Sequence, residues 1–499
     1  MKFILKNKKY ITSLVSGASL VLIFAPFYLF FFGFISITAL FLVIDNNKNC
    51  KTTFYHGLFY GFGFFLAGNH WIAISLLVDA SQHAWLIPFA LTLIPLALAV
   101  YIALACLLYK YLINKIKTDK IYYKIIIFSS CWLLFEILRS NLFSGFPWNL
   151  IGYSWLFNLN LAQSASIIGI YGLSFFAILL FLSPAIFIRL KNNKIKIVSF
   201  KELSKYDLSV FVIIIALLIS SFFFGWHRLN NVKLINKGYK IRLVQANIEQ
   251  NLKWDPKEKY NNLIKHIKLT NKKNIDDIDM VVWSEASIPY VVDYNPNLSN
   301  LIKLAVPKNG TLVSGALRSD KNKYWNSIFL FNEDGVKDYY DKHHLVPFGE
   351  YIPLQKYLPF VKKITQGSEG FSRGIGAKHL VDNNITFSPL VCYEAIFTSY
   401  SVDISLEKPH LLLNLTNDSW FGNSIGPHQH LAMAQMRSIE YGITMVRVSN
   451  SGISAHIDPF GKIKSKTEIG KEEVFDIDLN YLHGDTIYQK IIRKLGDIF

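Results

Sequence analysis

The sequence predicts a polytopic α-helical membrane domain followed by a layered α/β domain on the outer side of that membrane. Apolar runs near bilayer length recur through the first half, Lys and Arg gather in alternate connections between them, and short β-branched runs take over from about residue 239. Composition agrees with a membrane protein, since 52% of the 499 residues are hydrophobic and 15% aromatic. The net charge of +17 would suit a nucleic-acid binder, but residues 1–239 hold 21 Lys/Arg against 6 Asp/Glu, leaving only +2 for residues 240–499. Basic charge therefore belongs to the membrane half, which argues against a nucleic-acid face.

In chain order, seven apolar runs cover about 10–25, 27–44, 54–78, 86–109, 122–140, 163–189 and 208–226. The first two are short and meet at the turn signal around Pro26, so two spans and one broken hairpin are both open. Orientation follows from the basic residues, which are retained on the cytoplasmic side. Lys2, Lys6, Lys8 and Lys9 precede the first run, Lys48 and Lys51 follow the second, Lys110 to Lys124 follow the fourth, and Arg189 to Lys205 follow the sixth. The intervening connections, such as DASQHAW, are poor in them. The N-terminus is thus expected inside and everything after residue 227 outside. Residues 1–30 do not read as a signal peptide, because no small-residue cleavage site follows and further spans do.

Beyond residue 239 the runs KIRLVQANI, MVVWSEAS, TLVSGAL, SIFLFN, ITFSPLVCYEAI, LLLNLTND and TMVRVSNSGISAHID read as strands. Polar helix-like stretches at 256–274 and 428–442 lie between some of them. The expected division is a transmembrane domain over 1–227, an α/β domain over 239–480 and a basic amphipathic tail over 481–499.

Cysteine usage gives the first functional clue. Cys50 falls in a cytoplasmic connection and Cys106 and Cys131 in spans, so Cys392 is alone in the external domain and has no disulfide partner there. A small buried hydrophobe and a reactive thiol are both open readings of it. A nucleophilic thiol needs a base and an oxyanion donor, and strand ends are where such groups are held rigidly. Glu285, in VVWSEASIPY, follows an apolar strand and is a candidate base. Lys342, in YYDKHHLVPFGEYIP, is a candidate cation for the oxyanion, with Glu350 in the same loop to orient it or the thiol. Solvated surface residues are the alternative for each. The pair His343-His344 lacks partners at ligand spacing, so no metal is expected. No G-x-S-x-G elbow occurs, which argues against a serine hydrolase.

These three residues, in WSE, YDKHHLVPFGEY and VCYE, resemble the Glu-Lys-Cys triad of the nitrilase, or carbon-nitrogen hydrolase, superfamily. Placed after a multi-span half, they look like the bacterial apolipoprotein N-acyltransferase family. FEILRSNLFSGFPWNLIGYS, VQANIEQNLKWDP and NLTNDSWFGNSIGPHQHLAMAQMRSIE are also similar to that family, so the resemblance covers nearly the whole chain. It implies a nitrilase-like αββα sandwich facing the periplasm from the inner membrane. It implies too a phospholipid acyl donor, typically phosphatidylethanolamine, and the α-amine of a diacylglyceryl-cysteine on an apolipoprotein as acceptor, with no cofactor.

Under the resemblance Glu285 deprotonates Cys392, and Lys342 with the Tyr393 backbone N–H holds the oxyanion. Glu394 is expected to position the nucleophile. Trp254 is expected to contact substrate, with Asn326, Trp420, Phe421 and Gly422 as pocket walls. The partly apolar loop 353–371 is expected to govern lipid entry through Leu358 and Phe360. Glu136 and Arg139, one turn apart near the outer end of a span, are expected to pair with each other or with a headgroup. The family usually re-enters the membrane near where this sequence stops, so the tail departs from the resemblance. Two rivals remain: a tethered amidase that uses water as acceptor, and a binding protein whose catalytic domain has decayed.

Overall fold

The computed structural model describes residues 2–191, 194–292, 296–353, 370–399, 401–403 and 405–495. Contacts divide the chain into two compact units, Met1–Ala73 with Trp85–Asn231, and Ile74–Ala84 with Val232–Phe499.

The first unit is helical. Helices Lys2–Leu20, Phe31–Asn46, Cys50–Asn69, Ile87–Ile116, Ile121–Asn141, Ala165–Leu182 and Lys205–Asn231 occupy the seven apolar runs. By length and composition, Ala80–Ile116, Ile121–Asn141, Ala165–Ile186 and Lys205–Asn231 can cross a membrane; Tyr10–Ile23 and Phe31–Asn46 are shorter apolar segments. Small residues allow close helix packing. A Cβ at Gly57 or Gly61 would stand 2.8 Å from the Cα of Ala103 or Ala99, so the third and fourth long helices touch backbone to backbone.

Between Asn141 and Leu159 the chain leaves the α-helix yet stays largely buried. Such backbone survives in an apolar unit only if side chains satisfy it. Arg139 Nη1 donates to the carbonyls of Phe146 and Trp148, while Glu136 Oε1 accepts from the Ile151 N–H at 3.0 Å. Glu136 and Arg139 thus secure this loop, where a mutual pair or a headgroup contact had been expected. A hairpin of β1 (Ile188–Lys191) and β2 (Lys194–Ile197), absent from the sequence-based expectation, connects the last two long helices.

The second unit holds two sheets. The first contains β3 (Ile235–Gln245), β4 (Met280–Trp283), β5 (Ile288–Val291), β6 (Thr311–Asp320), β7 (Lys323–Asn332) and β8 (Gly335–Asp341). The second contains β9 (Leu380–Asp382), β10 (Ile385–Val391), β11 (Leu411–Thr416), β12 (Thr444–Ser449), β13 (Ala455–Ile457) and β14 (Ile463–Lys466). β15 (Glu473–Tyr481) returns to the first sheet, giving the order β15-β3-β4-β6-β7-β8 with β5 beside β6, against β14-β13-β12-β11-β10-β9.

Strand periodicity explains the layering. In β4, Met280 and Val282 face the second sheet while Val281 and Trp283 face helices Lys259–Thr270 and Pro296–Lys303. In the second sheet, Leu411, Leu413 and Leu415 point to the first, and Leu412 packs with residues of helices Ile425–Tyr441 and Ile487–Leu495. The result is an αββα sandwich. β3, β4 and β6 run parallel, as do β10, β11 and β12, so their carboxyl ends gather the loops that carry chemistry.

Candidate active site

Each predicted triad residue follows the carboxyl end of a strand: Glu285 after β4, Lys342 directly after β8, and Cys392 directly after β10. All three are buried. Two of these turns are tightly specified. Ala286 has φ +47, and a Cβ on Gly315 of β6 would lie 2.3 Å from its nitrogen, so only glycine lets β6 pass the Glu285 turn. Cys392 itself sits at φ +50, a left-handed conformation that lifts the thiol off the strand into a 3₁₀ turn, Cys392–Ile396.

The charged groups interlock. Lys342 Nζ lies 3.0 and 2.9 Å from the two oxygens of Glu350, whose Oε2 also accepts from the Val346 N–H at 2.9 Å. Asn326 Nδ2 donates to Glu285 Oε1 at 2.8 Å and to Glu350 Oε1 at 3.1 Å, so it bridges two carboxylates and is more than the pocket wall expected of it. Lys253, which sequence reasoning missed, donates from Nζ to the Glu285 carbonyl at 2.7 Å. Two cations therefore face two anions in a buried cluster.

Burial raises the Glu285 carboxyl above its ordinary value, against the pull of Lys342. Burial would lower Lys342, but Glu350 and Glu285 outweigh it and hold this ammonium above the ordinary lysine value. Burial draws Lys253 down to about 8. The Cys392 thiol is pushed up to about 12 by burial and by Glu285, with Lys342 acting in the other direction.

Glu394 is fully buried and joins the nucleophile turn to the lysine loop. Its Oε2 accepts from the Val391 N–H at 2.8 Å; its Oε1 accepts from the N–H groups of His343 and His344 at 2.9 and 3.1 Å and from the Tyr340 hydroxyl at 2.9 Å. Burial would raise its pKa, but His343, Lys342 and the Val391 N–H hold it below the usual carboxylate range.

Behind the thiol lies a second polar cluster that the sequence reading did not single out. Thr416 Oγ1 is 3.2 Å from Cys392 Sγ and 3.1 Å from Asp418 Oδ1. Asp418 accepts from Arg447 Nη2 at 2.7 Å and lies 2.9 Å from His430 Nδ1; His430 Nε2 and Asn414 Nδ2 donate to the Cys392 carbonyl at 3.2 and 3.4 Å. Polar residues inside the otherwise apolar strands LLLNLT and TMVRVS were the available signal.

The remaining candidates are less central. Trp254 is half-buried with the Lys259 ammonium 5.8 Å from its ring centre. Tyr393 is buried, its ring 5.1 Å from that of Phe397. Trp420 and Phe421 belong to the turn Asp418–Phe421, with the Phe421 ring 5.9 Å from His430. Gly422 has φ +57, and a Cβ there would approach Ile74 to 3.0 Å. Leu358 and Phe360, with most of the loop expected to admit lipid, lie outside the described residues. No group of residues suited to a metal ion occurs among the described residues.

Comparison with known proteins adds family evidence. The family model for the apolipoprotein N-acyltransferase N-terminal domain matches residues 16–182, and that for carbon-nitrogen hydrolases matches residues 240–484. Similar relatives include the apolipoprotein N-acyltransferases of Rickettsia bellii, 36% identical over 96% of this chain and 91% of the relative, and of Rickettsia typhi, 34% identical over 95% and 90%. That of Brucella suis is 31% identical over 94% and 89%. Among solved structures, a carbon-nitrogen hydrolase superfamily protein of Xanthomonas campestris covers 52% of this chain and 98% of its own, at 17% identity and TM-score 0.39. A nitrilase superfamily member of Saccharomyces cerevisiae covers 53% and 96%, at 22% identity and TM-score 0.38.

Proposed function

The chain belongs to the apolipoprotein N-acyltransferase family, and on that premise we propose that it moves an acyl chain from a membrane phospholipid, through a thioester on Cys392, to the N-terminal amine of a diacylglyceryl-cysteine. The reaction is the final N-acylation of lipoprotein maturation. The observation that carries the cysteine mechanism is that Glu285, Lys342 and Cys392, at the ends of strands from both sheets, are all buried and act on one another electrostatically.

Glu285 is the general base. Its raised carboxyl takes the thiol proton as the sulfur attacks the ester carbonyl carbon, so no free thiolate needs to accumulate. Lys342, oriented by Glu350, and the Tyr393 backbone N–H stabilise the oxyanion. Collapse of the intermediate breaks the ester C–O bond, and the proton held by Glu285 passes to the departing lysophospholipid. The acceptor amine then attacks the thioester, Glu285 takes a proton from the nitrogen, and the sulfur is expelled and reprotonated. Two products leaving in turn predict ping-pong kinetics. Phosphatidylethanolamine is the proposed donor, and the proposed location is the bacterial inner membrane with this site on the periplasmic side.

The test is mass spectrometry of the purified full chain after incubation with acyl-labelled phosphatidylethanolamine. An acyl mass on the Cys392 peptide that a diacylated lipopeptide discharges supports the reading, and Cys392→Ser should abolish it while the protein still reaches the membrane. Hydrolysis of small amides without lipid labelling would favour an amidase and sink the acyl-transfer mechanism.

A further inference from the structure

The mechanism above leaves the polar cluster behind Cys392 unused. Its geometry is specific. The Thr416 hydroxyl has one hydrogen and two acceptors within reach, Cys392 Sγ at 3.2 Å and Asp418 Oδ1 at 3.1 Å. Asp418 does not depend on that hydrogen, because Arg447 donates to its other oxygen at 2.7 Å and His430 flanks Oδ1 at 2.9 Å. All four side chains are buried, so no water competes for the hydrogen.

The register explains how this cluster is held. Asn414 and Arg447 are paired positions of the parallel strands β11 and β12, and Arg447 donates from Nη1 to Asn414 Oδ1. Asn414 then reaches the Cys392 carbonyl, where His430 also donates. The turn that holds the nucleophile at positive φ is thereby fixed through its own carbonyl, and the sulfur faces the end of β11. The Asn417 backbone N–H acts on the thiol in the same sense as Lys342, favouring its charged form.

We propose that Thr416 is a catalytic residue of the acyl transfer: its hydroxyl turns from Asp418 to the Cys392 sulfur whenever negative charge develops there. The proposal rests on the reading of Cys392 as the nucleophile. While the thiol is neutral, the hydroxyl hydrogen points to the Asp418 carboxylate, the stronger acceptor. As the S–H bond breaks and Glu285 takes the proton, the hydroxyl rotates about its C–O bond and donates to the sulfur; no heavy atom moves and Thr416 gains or loses no proton. The same donor receives the thiolate expelled when the amine attacks the thioester, so it serves both half-reactions. Asp418, with Arg447 and His430, is a positioning group that holds the hydroxyl oxygen in place.

The test uses the full chain in detergent micelles with acyl-labelled phosphatidylethanolamine, a synthetic diacylglyceryl-cysteine peptide as acceptor, and iodoacetamide as a separate probe of the thiol. Thr416→Val removes the hydroxyl and keeps the shape. A hydrogen bond to a charged atom is lost, so formation and discharge of the Cys392 thioester should each slow by roughly 10- to 100-fold, and alkylation at pH 9 by about tenfold. Thr416→Ser should stay within about threefold of the parent on all three. Thr416→Ala takes the place of the valine variant should that one fail to fold. Unchanged rates in Thr416→Val, or equal losses in Thr416→Val and Thr416→Ser, would overturn the proposal, since the second pattern marks packing rather than the hydroxyl. Failure of the parent protein to carry any acyl group on Cys392 would instead overturn the nucleophile assignment itself.

Discussion

Replacing Glu394 by glutamine probes how rigidly the nucleophile and the lysine loop must be joined. Oε1 of the carboxylate accepts from the Tyr340 hydroxyl and the N–H groups of His343 and His344 and lies 3.1 Å from His343 Nδ1, while Oε2 accepts from the Val391 N–H. An amide keeps only one acceptor oxygen. Its best orientation leaves oxygen facing Tyr340, His343 and His344, and turns the NH₂ group against the Val391 N–H. That forfeits a charge-assisted bond, roughly 1.5–3 kcal/mol, and strands a buried N–H at roughly 1–3 kcal/mol more; relief from burying a charge offsets part, leaving about 3 kcal/mol. At 1.4 kcal/mol per decade this is about 10²-fold in the population of the competent arrangement. The assay is the single-turnover rate of acyl-Cys392 formation, read by mass spectrometry, beside thermal unfolding of the same preparation. Glu394→Gln acylating within threefold of the parent would refute the reasoning. The pH dependence has a definite sign. A carboxyl whose pKa is depressed by folding contributes stability that is complete above the unfolded value and lost as pH falls through the folded one, so this junction should fail only below the ordinary glutamate range.

Three further outcomes follow from the same cluster. Glu350→Gln removes the largest influence raising Lys342, so the high-pH limb of kcat/KM should move to lower pH, with roughly tenfold or greater loss of kcat; an unmoved limb would show that Lys342 is not the group titrating there. Lys253→Met removes a cation that draws the Glu285 carboxyl down, so the low-pH limb should shift to higher pH; a shift the other way would mean that Glu285 is not the base. Gly315→Ala places a methyl 2.3 Å from the Ala286 nitrogen, which the backbone must move to accept, and should cost roughly 2 kcal/mol or more in stability with loss of acylation. Normal unfolding and activity in that variant would show that the Glu285 turn is not set by this contact.

The layered fold was legible because burial imposes period two on strands: MVVW divides between two cores by alternate residues, and Glu285 and Cys392 follow apolar runs, whereas β8 before Lys342, GVKDYYD, is mostly solvent-facing and was not read as a strand. Lys253 was not legible, since NLKWDP reads as a solvated turn and only the fold brings that ammonium to the Glu285 carbonyl. Asn414 and Arg447 are 33 positions apart, and what joins them is a strand register that composition does not encode. The role of Glu394 depends on loops near residues 343 and 391 meeting, which local pattern also leaves open.

Geometry alters what the lone cysteine of the second unit means. A cysteine without a disulfide partner reads in the sequence either as a small buried hydrophobe or as a reactive thiol, and in the structure burial and Glu285 push Cys392 up to about 12. At neutral pH the resting sulfur is then protonated, and oxidation and alkylation, which run through the thiolate, are slow. A strong resting nucleophile is unnecessary if a base is at hand: the same burial that suppresses the thiolate raises the Glu285 carboxyl above its ordinary value and makes it a better base, so proton transfer and attack can proceed together once an ester carbonyl supplies an acceptor for the electrons. The charged neighbours fit this account. Glu285 and Glu350 are balanced by Lys253 and Lys342, and a cluster without excess charge can move a proton from sulfur to carboxylate without stranding a net charge in a dry site. The unpaired cysteine is therefore guarded by the arrangement that activates it, and substrate arrival separates the two states.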